Sequence, residues 1–244
     1  MTSTRDTNDP WEPLARAMAD HLDGDLDATA EVLMEDGRAE PFPAATLFRA
    51  DGFPIAEDMA LDLASGRILD VGAGAGPHAL ELQNQDLEVV ALDISATAVD
   101  VMRRRGVHDA RQGDIFTLRE ESFDTVLLLM NGLGMAGDLD GARRLLVHLH
   151  TLLRPDGAIL VDSSDLRRTD EPRELRLIEK RRAAGRYFGE VQMQLRYRGA
   201  TGAVFPWLFI DHTTLVKVAA PLGWHVQILF DDPDGPYLAR LKPQ

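Results

Sequence analysis

The stretch Ile68-Leu69-Asp70-Val71-Gly72-Ala73-Gly74-Ala75-Gly76-Pro77-His78 decides how the rest of the chain is read. An apolar run of strand length enters three glycines at alternate positions and continues into a helical pattern. Glycines at such a turn let the backbone bend sharply and let a ligand approach where a Cβ would stand. Twenty-three residues beyond Asp70, Asp93 closes the next apolar run. A carboxylate there can accept hydrogen bonds from both hydroxyls of a ribose, so a nucleoside-containing ligand is expected across the carboxyl ends of the strands.

Downstream, short apolar runs at 67–71, 88–92, 110–112, 125–130 and 158–162 alternate with helical stretches at 78–85, 96–105 and 140–153. Such alternation with short links predicts an α/β fold, a doubly wound and mostly parallel sheet covered on both faces. After Asp162 the rhythm breaks. A charged helix is expected over 173–185, then a hairpin of 190–197 and 203–209 around Arg198-Gly199-Ala200-Thr201-Gly202. A helix capped by Asp211 follows, and then a terminal hairpin of 225–230 and 237–241 joined by a turn over 231–235. Upstream, residues 1–66 read as helical, with helices at 11–22, 26–34 and 55–64. The expected organisation is a helical lid segment over 1–66 and a nucleotide-type domain over 67–244, with a helix plus hairpin insert at 166–210.

The chain has 244 residues, 45% of them hydrophobic, no cysteine and a formal charge of −14. These figures allow a sizeable core and exclude disulfides, thiolate metal sites and cysteine nucleophiles. No metal is expected. No run of about 18 apolar residues exists, so no membrane span is expected. The polar start MTSTRDTNDPWEP lacks the apolar stretch of a secretory signal, so a cytoplasmic protein is expected. Acidity argues against nucleic acid as a partner and leaves a homodimer open. Residues 1–66 hold 15 acids against 4 bases, so most of the negative charge belongs to the N-terminal segment. The stretch 167–186 runs the other way, with 8 bases against 4 acids, and reads as a solvated helix laced with ion pairs.

Details of the glycine loop discriminate among ligands. A dinucleotide fingerprint wants a third glycine where Pro77 stands, and the acidic Asp70 two residues before Gly72 suits a cationic ligand better than a pyrophosphate. The pattern D-x-G-x-G-x-G resembles the S-adenosylmethionine (SAM) site of class I methyltransferases, a Rossmann-like family. Supporting elements follow in order: Asp93-Ile94, Gly113-Asp114-Ile115, Phe123-Asp124 ahead of Asn131-Gly132, and the Leu153-Arg154-Pro155-Asp156-Gly157 turn. The resemblance covers residues 66–165 closely. It implies a seven-stranded sheet of order 3-2-1-4-5-7-6 with the last strand antiparallel, and S-adenosylhomocysteine (SAH) as product. It also implies that Gly72, Gly74 and Gly76 shape the loop under the methionine part, with Asp70 near the ammonium. Asp93 would hold the ribose, Ile94 and Ile115 would flank the adenine, Asp114 would take its amino group, and Asn131 would face the transferring methyl.

Asn131-Gly132-Leu133-Gly134 lacks the N/D-P-P-Y/F signature of methyltransferases that modify macromolecular amides or bases, so a small-molecule acceptor methylated on O or N is expected. The glycine-rich run that begins there reads as a mobile rim. Candidate bases are Asp162, in the polar run Asp162-Ser163-Ser164-Asp165, Glu190 and His78. An acceptor pocket is expected from Tyr187, Tyr197, Arg198 and Trp207, with Arg49 and Phe53 closing from the N-terminal segment. Alternatives are a SAM-using enzyme of non-methyl chemistry (cyclisation or alkyl transfer) and a SAM-binding module without turnover.

Overall fold

The computed structural model describes residues 8–233 and 235–244. In chain order the elements are α1 Glu12–Leu22, β1 Thr29–Met34, β2 Ala39–Pro43, α2 Ile55–Leu63, β3 Arg67–Val71, α3 Pro77–Asn84, β4 Glu88–Asp93, α4 Ala96–Arg105 and β5 Ala110–Gln112. They continue with β6 Phe123–Leu128, α5 Leu139–His150, β7 Leu153–Ser164, α6 Pro172–Ala183, β8 Glu190–Tyr197, β9 Ala200–Thr201 and β10 Phe205–Leu208. The chain closes with α7 His212–Ala219, β11 Trp224–Asp231 and β12 Pro236–Pro243.

Seven strands form one sheet in the order β11-β12-β7-β6-β3-β4-β5. Counting only these strands along the chain, that is the expected 3-2-1-4-5-7-6. β3 with β6, β6 with β7 and β4 with β5 are parallel. β12 runs antiparallel to both β7 and β11. The central strand β6 is apolar because it is covered on both faces: Val126, Leu127 and Leu128 are fully buried. Each such side chain contributes about 2 kcal/mol by leaving water. Helix boundaries follow local chemistry. Ser95 caps α4 by accepting the Ala98 N–H, Asp138 caps α5 through Gly141, and Asp211 caps α7 through Thr214, as expected for that aspartate.

One reading of the N-terminal segment is corrected. Residues 26–34 are not helical; Thr29–Met34 is strand β1. It pairs antiparallel with β2 and with β8, placing Glu31 opposite Arg196, and the two side chains form an ion pair. The sheet order there is β10-β8-β1-β2, with β9 paired to β8. The run Thr-Ala-Glu-Val-Leu-Met suits a helix as well as a strand locally. One of its two partners, β2, follows directly, and the other brings in Arg196 from 165 residues beyond Glu31, so pairing on both sides overrides local propensity. The hairpin β8–β9 turns at Arg198 and Gly199, both left-handed at φ 47° and 79°. The expected turn over 231–235 includes residue 234, which lies outside the described residues.

The chain divides into two compact units, each drawn from separate stretches. Of the described residues, the first contains those up to Gly52, Gly72–Ile115 and Gln192–Phe205; the second contains those within Phe53–Val71, Phe116–Val191 and Pro206–Gln244. In the first, α1 packs on α4 and on the glycine loop through Ala15, Met18, Ala75, Ala98 and Val101. In the second, α2 packs on β7 and β12. Among the described residues no helix is long and apolar enough to cross a membrane.

Candidate active site

In the first unit the loop glycines Gly72, Gly74 and Gly76 are all left-handed, at φ 72°, 57° and 76°. Their reasons differ. A Cβ on Gly76 would stand 2.8 Å from Val107 and 3.0 Å from Met102, so glycine is required sterically. A Cβ on Gly74 would meet nothing closer than the Met18 sulfur at 3.9 Å, so that face of the loop is open for a ligand beneath α1. The loop is anchored by the Gly72 and Ala73 N–H groups, which donate to the Leu92 carbonyl at 2.8 and 3.1 Å.

Asp93 sits at the end of β4 as the ribose reading requires. One carboxylate oxygen accepts the Gly74 N–H at 2.9 Å and the other the Ser95 N–H at 2.8 Å. Each oxygen keeps a second lone-pair direction for a hydroxyl. Burial pushes its carboxyl above the ordinary value, the two N–H groups oppose this, and the charge of Asp9 adds to the rise. Ile94 is 53% exposed although large and apolar, a surface suited to a flat base. Ile115 is buried and Asp114 exposed. These features fit a nucleoside and a methionine tail. Asp70 is buried at the end of β3 in the second unit, and His78 is buried in the first turn of α3.

The remaining first-unit candidates hold the N-terminal segment. The buried Tyr197 donates its hydroxyl to Asp20 of α1 at 2.8 Å, and burial raises its pKa to about 12. Arg198 pairs with Asp20 and Asp25 at 2.7 and 2.6 Å. Arg49 is left-handed at φ 51° and donates to the Thr46 carbonyl. Phe53 begins the second unit and is half-buried.

In the second unit the polar run at the end of β7 organises the turn after β6. Asp162 accepts the Met130 N–H at 3.1 Å and the Asn131 N–H at 2.6 Å. Met130 and Asn131 are successive left-handed residues, at φ 55° and 58°. The Asn131 side chain donates to the Leu208 carbonyl at 3.0 Å and accepts the Ser163 hydroxyl, while Ser163 also accepts the Ile210 N–H. Trp207 lies on Gly134, where a Cβ would come within 2.4 Å of its indole. Gly132, Leu133 and Gly134 are buried, so the stretch expected to be a mobile rim is instead a packed 3₁₀ turn.

Glu190 accepts the Leu139 N–H at the start of α5. Tyr187 donates to Asp211 at 2.7 Å and accepts the Asp211 N–H. Burial and the Asp211 charge push its hydroxyl well above the usual tyrosine range, so it serves as a donor rather than a base. Arg167 chelates Asp165, reaches Asp211 at 3.4 Å and lies over the Phe188 ring. The roles of Met18, Ser163 and Arg105 were not legible beforehand. Ser163 had a signal, its polar neighbours at a strand end; Met18 and Arg105 look like ordinary helix residues.

Comparison with known proteins gives a consistent result. A family model described as a methyltransferase domain matches residues 68–157. A SAM-dependent methyltransferase from Bacteroides fragilis, solved in complex with S-adenosyl-L-homocysteine, is 37% identical, with a TM-score of 0.85 and coverage of 100% of this chain and 99% of that one. DesVI from Streptomyces venezuelae is 17% identical, with a TM-score of 0.58 over 82% of this chain and 95% of that one. CalS10 from Micromonospora echinaspora, an amino pentose methyltransferase, is also 17% identical, with a TM-score of 0.56 over 82% and 96%. At that identity the last two speak for the fold alone. None of the curated proteins matches the chain. The glycine loop, the carboxylate ending β4, the strand order and a full-length relative at 37% identity together establish that the chain belongs to the SAM-dependent methyltransferases.

Proposed function

We propose that this methyltransferase acts on an oxygen or nitrogen of a small molecule. The observation that carries the reading is the roof over the loop: α1 lies on the glycine loop in the first unit, with the Met18 sulfur beside the open face of Gly74. Tyr197 and Arg198 pin α1 there. A cofactor loop roofed by its own chain suits a small acceptor, and the missing N/D-P-P-Y/F signature supports the same reading. The acidic, cysteine-free composition supports a cytoplasmic setting.

SAM, when bound, supplies an electrophilic methyl on a sulfonium that leaves as a neutral thioether. This chain's contribution is then mainly placement. Gly72, Gly74 and Gly76 would carry the methionine part, Asp93 would hold the ribose and Ile94 would cover the adenine. In the second unit Asp162 and Glu190 already accept backbone N–H groups. A carboxylate oxygen takes more than one hydrogen bond, so Asp162 and Glu190 would still serve as the base for an acceptor that arrives protonated, while a free amine or an already ionised oxygen needs none.

The test is SAH formation from SAM with a panel of small amines, alcohols and carboxylic acids, alongside protein and nucleic acid. Turnover with a small acceptor, its product heavier by one methyl group, supports the reading. Turnover only with a macromolecule, or a product lacking the added methyl, rejects it.

A further inference from the structure

We propose that Arg105 is a positioning residue for the cofactor: its guanidinium fastens the glycine loop, at the Ala75 carbonyl, to Phe48 of the N-terminal segment. The inference rests on reading that loop as the cofactor site. Arg105 is the last residue of α4, far in sequence from both partners. One guanidinium nitrogen donates to the Ala75 carbonyl at 2.5 Å, and the other reaches the Phe48 carbonyl at 3.4 Å. The guanidinium carbon lies 4.6 Å from the centre of the Phe48 ring. Phe48 in turn packs on His21 of α1, ring centres 4.5 Å apart.

The charge balance makes this arrangement unusual. Arg105 is half-buried, and among the described residues no carboxylate partners it. Burial alone lowers its pKa from the ordinary value, with no acid to offset it. A desolvated cation is costly unless its donors are satisfied. Here the satisfaction comes from two carbonyls and one ring face, which belong to the loop and to the N-terminal segment. Separating the loop from that segment exposes the guanidinium to partial loss of both. Ala75 is fully buried among Met18, Ala98 and Val101, with Leu47 and Phe48 against them, so the carbonyl cannot shift independently of the roof. A ligand that orders Gly74 therefore also seats α1, and the seated α1 slows the ligand's release.

The test uses the full chain and SAH as probe, with calorimetry for affinity and stopped flow for release. Arg105→Met is expected to weaken SAH about tenfold, mostly through faster release. Phe48→Leu is expected to act in the same direction, and the double variant to be no weaker than Arg105→Met alone, because both break one link. Arg105→Lys keeps a donor but loses the flat face, so it should fall between wild type and Arg105→Met. A merely structural arginine would lower the melting temperature of the cofactor-free protein and leave SAH release unchanged. Arg105→Met binding within twofold of wild type, or the two effects multiplying in the double variant, overturns the proposal. Should Arg105→Met fail to fold, unchanged SAH release from Phe48→Leu overturns it equally. Wild-type protein that binds no SAH would instead overturn the cofactor reading, before any variant is compared.

Discussion

The Asp162 carboxylate holds the backbone of Asn131: one of its oxygens accepts the Asn131 N–H at 2.6 Å, while the other accepts that of Met130 at 3.1 Å. Two consecutive residues in the left-handed region are each strained by about 1 kcal/mol or more, and such strain persists only where the surroundings impose it. Asp162, Ser163 and the Leu208 carbonyl impose it here. The turn after β6 is therefore held in its shape by the end of β7.

Asp162→Asn tests that relation. An amide has one acceptor oxygen, so one of the two N–H groups would face an NH₂ group instead. The expected cost is about 2 kcal/mol, read as a shift in the urea midpoint. A loss below 0.5 kcal/mol, on the order of ordinary surface substitutions, would mean the turn does not depend on this carboxylate.

Gly74→Ala and Gly76→Ala should separate space from conformation. Gly76 has both a left-handed φ and two close neighbours, so Gly76→Ala is expected to cost about 3 kcal/mol in stability. Gly74→Ala meets only ordinary contacts and should cost about 1 kcal/mol, yet its methyl projects into the open face of the loop. Thermal melts should rank Gly76→Ala as the less stable, and calorimetry should show Gly74→Ala losing SAH affinity despite folding well.

Asp93 gives two opposite pH trends. Its carboxyl is raised by burial from 3.8, so between that value and the raised one the folded protein binds more protons than the unfolded chain. Ionising it therefore lowers stability: measured against Asp93→Asn, wild-type stability should decline as pH rises through this window. Ribose binding needs the carboxylate, so SAH affinity should increase as pH rises through the same window. Asp93→Ala should lose at least tenfold in SAH affinity while remaining folded. Retained affinity would reject the ribose assignment.

Tyr197 and Arg198 were expected in the acceptor pocket, and their contacts are with α1. Tyr197→Phe removes one of the two donors to Asp20, leaving Arg198 as the other, and should cost about 1 kcal/mol. Arg198 is 62% exposed, so Arg198→Ala should cost under about 1 kcal/mol, less still in high salt. With an acceptor in hand, an unchanged acceptor KM in both variants would confine them to holding the roof. A raised KM would place them at the acceptor.

The alternating runs between residues 67 and 162 determined a mostly parallel α/β sheet, because each strand and helix there carries its own periodicity and turn chemistry in a short window, while the strand order was implied by the resemblance to class I methyltransferases. The glycine loop and Asp93 were legible for the same reason: they lie at strand ends, where backbone geometry demands particular residue types. The N-terminal segment was not legible in this way. Thr29–Met34 takes its conformation from pairing with β2 on one side and, on the other, with β8, whose residues lie more than 150 positions downstream, and its own residue types do not distinguish a strand from a helix. Likewise, that Asp162 accepts two backbone amides of the turn after β6, and that Arg105 faces Phe48, depends on neighbours assembled from distant parts of the chain. Tertiary packing alone decided those roles, because a polar side chain's function is set by the partners that satisfy it, and the sequence order does not name them.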